Sequence, residues 1–417
     1  MRVYKFGGAS VKDAAGIRNV LRVLKITGYD DVLLVVSAMG KTTNALEAVL
    51  SEYFAPDRKH DALAEVRLYH DAIVGELFPE GHAVFTDVAR LFTDLEYFLT
   101  HNRSQNFNFV YDQVVSYGEL LSTTIVSHFL NHSGIPSHWL DARNVVKTDN
   151  QYRDANVDWS HTERLIRQHV SPGKLHVVQG FIGSDDNSFS TTLGREGSDY
   201  TAAIFAYCLD AESVTIWKDV PGVMNADPRY FSEASLLEQI SYREAIELAF
   251  YGATVIHPKT LQPLQRKEIP LFVKSFVEPE KPGTCVQKGQ DLVPHLPCFI
   301  VKKNQLLVSI SSVDFSFIME ENISEIFALL HKFRMKVHLI QNSAISFSVC
   351  ADDKFENFGK LKEALGSRFK VTYNEGVSLY TIRHVTPEAL QTVEKEKTVL
   401  LRQASRETVQ LVVREAE

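Results

Sequence analysis

The sequence lacks most of what marks a secreted, membrane-bound or nucleic-acid-coating chain. Its 417 residues hold four cysteines, Cys208, Cys285, Cys298 and Cys350, and no two form a CxxC pair. Neither a disulfide framework nor a zinc module is therefore expected. No apolar run approaches the roughly 20 residues of a membrane span. Val32 to Val36 is typical of the runs present and reads as a buried strand. Arg2, Lys5, Lys12 and Asp13 charge the N-terminus and leave no room for a signal-peptide core. Positive charge is not in excess: 44 Lys and Arg face 52 Asp and Glu, a formal net charge of -8, which argues against a nucleic-acid partner. HExxH, GxSxG and metal-spaced Cys/His clusters are missing too, so no metal held by side chains is expected. What is present, 45% hydrophobic and 23% charged residues, suits a globular cytoplasmic protein of two or three domains.

Over the first 280 residues short strand-like runs alternate with helical patterns. Arg2 to Phe6 is a strand ending in Gly7-Gly8. Val11, Ala14, Ile17, Val20, Leu21 and Leu24 follow at helical spacing, with Ser10 as the expected cap. Further strands are expected at 175–179, 213–217 and 270–273, and helices over about 58–132, 198–209 and 241–250. The last opens with the Ser241 and Glu244 capping-box spacing. This succession predicts a layered α/β/α domain over 1–280 with a mainly parallel sheet. Pro279, Pro282, Gly283, Gly289, Pro294 and Pro297 then crowd one stretch, and 281–298 is expected to be a linker. From 299 the rhythm becomes βαββαβ, a ferredoxin-like unit. The chain left after it is too short for a second complete one.

Four loops at strand ends carry chemistry suited to phosphate, where α/β folds bind ligands. Lys5-Phe6-Gly7-Gly8-Ala9-Ser10 lets the backbone approach an anion at a helix start, or is simply a turn. Ser37 to Asn44 contains Gly40-Lys41-Thr42, but a P-loop needs Gly at 35 and the residue is Val35. Leu193 to Tyr200 brings Arg195, able to grip a carboxylate bidentately, with Ser198 and Asp199, which could equally be helix caps. Lys218-Asp219 and then Met224 to Arg229 follow a strand and are rich in turn formers. Glu119 stands apart, alone among apolar neighbours in a helical stretch.

Together and in order, KFGGAS (5–10), VVSAMGKTTN (35–44), VSYGELLS (115–122), TLGREGSDYTAA (192–203), WKDVPGVMNADPR (217–229) and FYGATVIHPKT (250–260) resemble the motifs of the aspartate kinases, in the amino-acid-kinase superfamily. The resemblance implies ATP- and Mg²⁺-dependent phosphorylation of the L-aspartate β-carboxylate to 4-phospho-L-aspartate, the first step toward lysine, threonine and methionine. It implies catalytic roles for Lys5 and Asp199. Ser37, Thr43, Glu119, Arg195 and Ser198 would contact substrate, Arg195 at its α-carboxylate and Glu119 at its ammonium. Gly7, Gly8, Lys218, Asp219, Met224, Asp227 and Arg229 would hold the nucleotide. The C-terminal region, 299–417, resembles ACT modules, with its second unit apparently truncated. That implies a homodimer formed through this region, and lysine or threonine as an effector near Gln341, Asn342 and Ser343, which could also be an ordinary hairpin turn.

The chemistry agrees with these roles. A carboxylate nucleophile with an ordinary pKa near about 3.9 is ionised at neutral pH and needs no general base. The barrier is the meeting of anions, so cations and amides must dominate. Ala9, Glu196, Met224 and Thr254 depart from the usual motifs, Glu196 replacing a frequent Gly and Thr254 a Lys for which Lys259 is a candidate substitute. A kinase for glutamate or N-acetylglutamate is an alternative, since one methylene is worth only about 1–3 kcal/mol. So is a catalytically silent amino-acid sensor, which retention of Lys5, Glu119, Arg195 and Asp199 weighs against.

Overall fold

A computed structural model describes residues 1–55, 61–253, 256–289, 291–314 and 316–415. Thr254 lies outside them. Two compact units emerge: Met1–Val223 with Leu236–Ile246 and Val255–Val293, and Met224–Ser235 with Glu247–Thr254 and Pro294–Glu417. Among the described residues no helix is long and apolar enough to cross a membrane.

The first unit runs β1 (Arg2–Phe6), α1 (Ala14–Thr27), β2 (Val32–Val36), α2 (Thr42–Phe54), α3 (Asp61–Leu77), α4 (Ala83–His101), α5 (Phe107–His132), β3 (Ser137–Leu140), α6 (Trp159–His169) and β4 (Leu175–Gln179). The hairpin β5 (Ile182–Ser184) and β6 (Ser190–Thr192) follows, then α7 (Gly197–Leu209), β7 (Ser213–Lys218), β8 (Gln239–Ser241), α8 (Tyr242–Tyr251, of which residues from Glu247 on fall in the second unit), α9 (Pro258–Lys267), β9 (Leu271–Ser275) and β10 (Thr284–Gln287). Eight strands form one sheet in the order β3-β4-β2-β1-β7-β9-β10-β8. Every pairing is parallel except β9 with β10. The sequence explains the layering: all five residues of Val32-Leu33-Leu34-Val35-Val36 are buried, as a strand covered on both faces requires. Alternate residues Tyr4, Phe6, Leu34 and Val36 join Ile17, Val20 and Leu24 of α1 in one core.

The cap of α1 is not Ser10. Gly8–Val11 forms a 3-10 turn, and Asp13 caps instead, accepting from Gly16 N at 2.7 Å. Position decides this, since Asp13 stands directly before Ala14 while Ser10 lies inside the 3-10 turn. Ser241 does cap as its spacing predicts, accepting from Glu244 N at 3.1 Å. The Pro/Gly-rich stretch is not bare linker: β10 lies within it, and Thr284 Oγ1 ties it down by donating to Leu237 O at 2.6 Å.

The second unit contains β11 (Cys298–Ser312), α10 (Glu320–Lys332), β12 (Lys336–Asn342), β13 (Ser346–Asp352), α11 (Phe358–Gly366), β14 (Phe369–Arg383), α12 (Pro387–Glu394), β15 (Lys397–Ala404) and β16 (Thr408–Glu415). Its antiparallel sheet has the order β12-β13-β11-β14-β16-β15. β11 and β14 are 15 residues each and pair along their whole length, with register shifts between Lys302 and Leu307. Each strand therefore serves two halves. Leu307–Ser312 and Phe369–Asn374 complete a βαββαβ motif with α10 and α11 packed on it. Cys298–Lys302 and Val377–Arg383 join β16 and β15, with α12 packed there. A short C-terminal stretch can thus build a four-stranded half-sheet because one strand is taken from chain preceding the βαββαβ motif.

Candidate active site

Four neighbouring strands, β4, β2, β1 and β7, end on the same side of the sheet, and the loops after β4, β2 and β1, with the last residue of β7, reach one cavity of 360 Å³. Lys5, Gly8, Ser37, Ala38, Gly40, Thr43, Glu119, Phe181, Gly194, Glu196, Gly197, Ser198, Asp199 and Lys218 line it. The loops are laced to one another by backbone: Ser37 N donates to Phe6 O at 3.1 Å, Gly40 N to Gly8 O at 3.0 Å, and Gly180 N to Val36 O at 3.0 Å. Glycine is required where they meet. A Cβ on Gly8 would lie 2.8 Å from both Ala38 O and Gly40 O, and one on Gly180 would lie 2.5 Å from Ser198 Cβ. Thr43 and Ser198 sit in the first turns of α2 and α7, so two helix N-termini supply amides and positive dipole ends suited to anions.

The charged groups are arranged around Asp199. Lys5 Nζ lies 2.6 Å from its Oδ1, and Lys218 Nζ lies 3.8 Å from its Oδ2. Two cations thus face the cavity, held by one carboxylate that takes the space of only one of their counter-ions. Lys5 is the penultimate residue of β1 and Lys218 the last of β7, so the register Phe6 with Trp217 fixes their proximity.

Glu119 belongs to α5, a helix buried nearly all round. Its Oε1 accepts from Ala38 N at 3.2 Å, while Oε2 is buried without a hydrogen-bond partner. Burial pushes the carboxyl up to about 8, against the pull of the Ala38 N–H and the Lys5 charge. The carboxyl is therefore neutral at pH 7. Ser122, one turn on, donates to Ser37 O at 2.7 Å and fixes the β2 loop against the same helix.

Not all expected residues meet here. Lys5, Gly8, Ser37, Thr43, Glu119, Ser198, Asp199 and Lys218 line the cavity. Gly7 lies just behind, where a Cβ would stand 3.3 Å from Lys5 Nζ. Arg195 and Asp219 are exposed and are not among the lining residues. Met224, Asp227 and Arg229 fall in the second unit, where Arg229 Nη2 pairs with Asp227 Oδ2 at 2.6 Å. Gln341 and Asn342 end β12, and Ser343 begins the turn to β13, closed by Ser343 N donating to Ser346 O at 2.8 Å; all three are exposed. Lys259 bonds Asp154 Oδ1 at 2.8 Å and Leu193 O at 3.0 Å, bracing the loop that carries Gly194. Sequence reasoning missed Ala38, Gly40 and Phe181, which act through backbone and shape. The one available signal was their position directly after buried strands.

Comparison with known proteins places this geometry. The model of the amino acid kinase family matches residues 1–275. The chain is 33% identical over 354 residues to lysine-sensitive aspartokinase 3 of Escherichia coli, covering 84% of this chain and 78% of that protein. It is 29% identical over 391 residues to the chloroplastic bifunctional aspartokinase/homoserine dehydrogenase 2 of Arabidopsis thaliana, covering 90% of this chain but only 42% of the relative. Among solved structures, E. coli aspartokinase III with lysine and aspartate (T-state) superposes with a TM-score of 0.85 at 29% identity, covering 99% of this chain and 95% of the other. The same enzyme with aspartate and ADP (R-state) gives 0.79, with 99% and 96% covered.

Proposed function

The chain belongs to the amino acid kinase family and, within it, to the aspartokinases, and from that premise we propose how it phosphorylates the side-chain carboxylate of L-aspartate with ATP, giving 4-phospho-L-aspartate and ADP. The product stands at the start of lysine and threonine biosynthesis. One observation carries the mechanistic reading: Lys5 and Lys218 gathered on buried Asp199, with the unpaired oxygen of Glu119 in the same cavity.

In this reading the aspartate side chain attacks as an anion, so no residue need remove a proton. Lys5 neutralises charge on the phosphoryl group in flight, and Asp199 fixes the lysine's rotamer in advance, which is what electrostatic preorganisation demands. Amides of the Gly7-Gly8 turn and the α2 and α7 N-termini share that load. Lys218 and Asp219 serve the nucleotide. Glu119 gives up its proton and receives the substrate ammonium, Arg195 takes the α-carboxylate, and Ser37, Thr43 and Ser198 line the pocket. Mg²⁺, when bound, supplies charge neutralisation to the phosphates.

We also assign the second unit a regulatory role, with lysine or threonine as effector near the exposed Gln341 to Ser343 hairpin and pairing of two copies through its sheet. The lysine sensitivity named for the E. coli relative and the lysine in its T-state structure support this. The four cysteines are free, as suits the reducing cytoplasm assigned to it.

The direct test traps acyl phosphate with hydroxylamine, using ATP, Mg²⁺ and a panel of acids. Hydroxamate from aspartate alone is expected. Hydroxamate from glutamate or N-acetylglutamate instead would move the assignment to another kinase, and none from any acid would make the chain a sensor.

A further inference from the structure

Glu196 has no task in the mechanism above, yet it alone on the cavity wall combines left-handed backbone with a buried, unpartnered carboxyl oxygen. Its backbone lies in the left-handed region, φ 53° and ψ 30°, at the N-cap of α7. A long side chain is disfavoured there, and strain of this kind persists only where surrounding structure enforces it, most often at working sites. The side chain does not compensate by capping the helix, for it makes no cap hydrogen bond. Its Oε2 is buried without a hydrogen-bond partner. The two lysines of the cavity wall face Asp199 instead, at 2.6 and 3.8 Å.

A buried carboxylate oxygen lacking a donor is costly until something supplies one. The phosphates of ATP and the two carboxylates of aspartate bring only acceptors, and the ribose hydroxyls and adenine amine of ATP are neutral donors. Among the organic groups the reactants carry, the α-ammonium alone is a positively charged donor, with three N–H bonds. Glu119 Oε2 is also buried, unpartnered and part of the same wall. A single oxygen leaves most of an ammonium's donors unserved.

We propose that Glu196 is a specificity residue, a second carboxylate that receives the substrate α-ammonium together with Glu119 and so restricts the site to amino acids with a free amino group. This rests on the aspartate phosphorylation proposed above. An N-acylated acid offers one neutral N–H and no charge, and succinate, the same dicarboxylate without the amine, offers nothing. With the first at least one of the two buried carboxyl oxygens would stay unserved, and with succinate both.

The test is calorimetric binding of aspartate and of succinate to the full chain, comparing wild type with Glu196→Gln and Glu196→Gly. The glutamine keeps the shape and drops the charge. The glycine relieves the backbone, so a failure of one variant to fold leaves the other to answer. Both should bind aspartate at least about tenfold more weakly, the size of one lost charge-assisted hydrogen bond, with succinate unchanged or tighter, so that the preference between the two ligands narrows. An unchanged preference overturns the proposal. So does a loss confined to Mg²⁺-ATP affinity, which would put Glu196 on the metal side. If wild type makes no aspartyl hydroxamate, the parent reading falls as well. If it makes hydroxamate and the variants keep the preference, only the role of Glu196 falls.

Discussion

Lys5 Nζ and Asp199 Oδ1 stand 2.6 Å apart, with both side chains almost wholly buried. Breaking such a pair from either end leaves an uncompensated charge, so the two residues answer different questions. Lys5→Ala removes the cation aimed at the phosphoryl group and should lower kcat by at least about 10²-fold, the scale for one preorganised donor. Asp199→Asn leaves Lys5 in place but unheld, and should lose less. Steady-state kinetics decides: near-normal turnover in Lys5→Ala would remove the lysine from catalysis.

Glu119 makes aspartate binding depend on pH with a definite sign. Its carboxyl is pushed up to about 8, so the free site is protonated at neutral pH while the substrate ammonium requires the anion. Each binding event near pH 7 should expel a proton. Affinity for aspartate should therefore improve as pH rises from about 6 to about 8, by up to about tenfold for each step of one in pH, and level off above. Calorimetry in buffers of different ionisation enthalpy counts the proton directly. Binding heats that do not vary with buffer, together with a flat KM profile, would show that Glu119 does not meet the ammonium.

Arg195 is exposed and absent from the cavity wall, though its neighbours Gly194 and Glu196 line it. If it grips the α-carboxylate, Arg195→Ala should raise the KM for aspartate by about 10- to 100-fold, for loss of a charge-assisted contact worth about 1.5–3 kcal/mol. Arg195→Lys should rescue poorly, since an ammonium cannot form two parallel bonds to one carboxylate. An unchanged KM in the alanine variant would leave Arg195 a solvated loop residue.

How far the sequence reveals all this depends on where the physics is local. The parallel strands were legible because β2 is apolar at every position, and the site was legible where charges close the strands, as at Lys5 and Lys218. Elements fixed by long-range pairing were not. Ser137–Leu140 is a short strand with exposed His138 and Trp139, drawn into the sheet by β4. Thr284–Gln287 is a strand inside a stretch whose Pro and Gly content reads as linker. β11 continues straight through Lys302, Lys303 and Asn304, polar residues that sit at register shifts and break the alternation on which a sequence pattern relies. Glu119 was visible as an anomaly in an apolar helix, but its raised pKa required the packing of α5. Phe181 and Glu196 owe their places to left-handed backbone, φ 68° and 53°, which composition does not announce.

The same burial of Glu119 should be measurable as stability, without substrate. The carboxyl titrates near 4.5 when unfolded and about 8 when folded. Between those values the native state keeps a proton that the unfolded chain releases. Stability from this group is therefore full below about pH 4.5 and is lost as pH rises through about 8. Glu119→Gln imitates the protonated form and cannot titrate, so its Tm advantage over wild type should be smallest near about pH 5 and grow toward about pH 8.5. Each tenfold difference in proton affinity between the folded and unfolded chain is worth about 1.4 kcal/mol. Each kcal/mol moves Tm by about 2–4 °C in a domain of this size, so a gap widening by at least about 4 °C is expected. The same variant should bind aspartate poorly, separating the gain in fold from the loss in function. A Tm difference constant across that pH range would mean that Glu119 is ionised in the free protein, and would undercut its reading as a proton-releasing ammonium site.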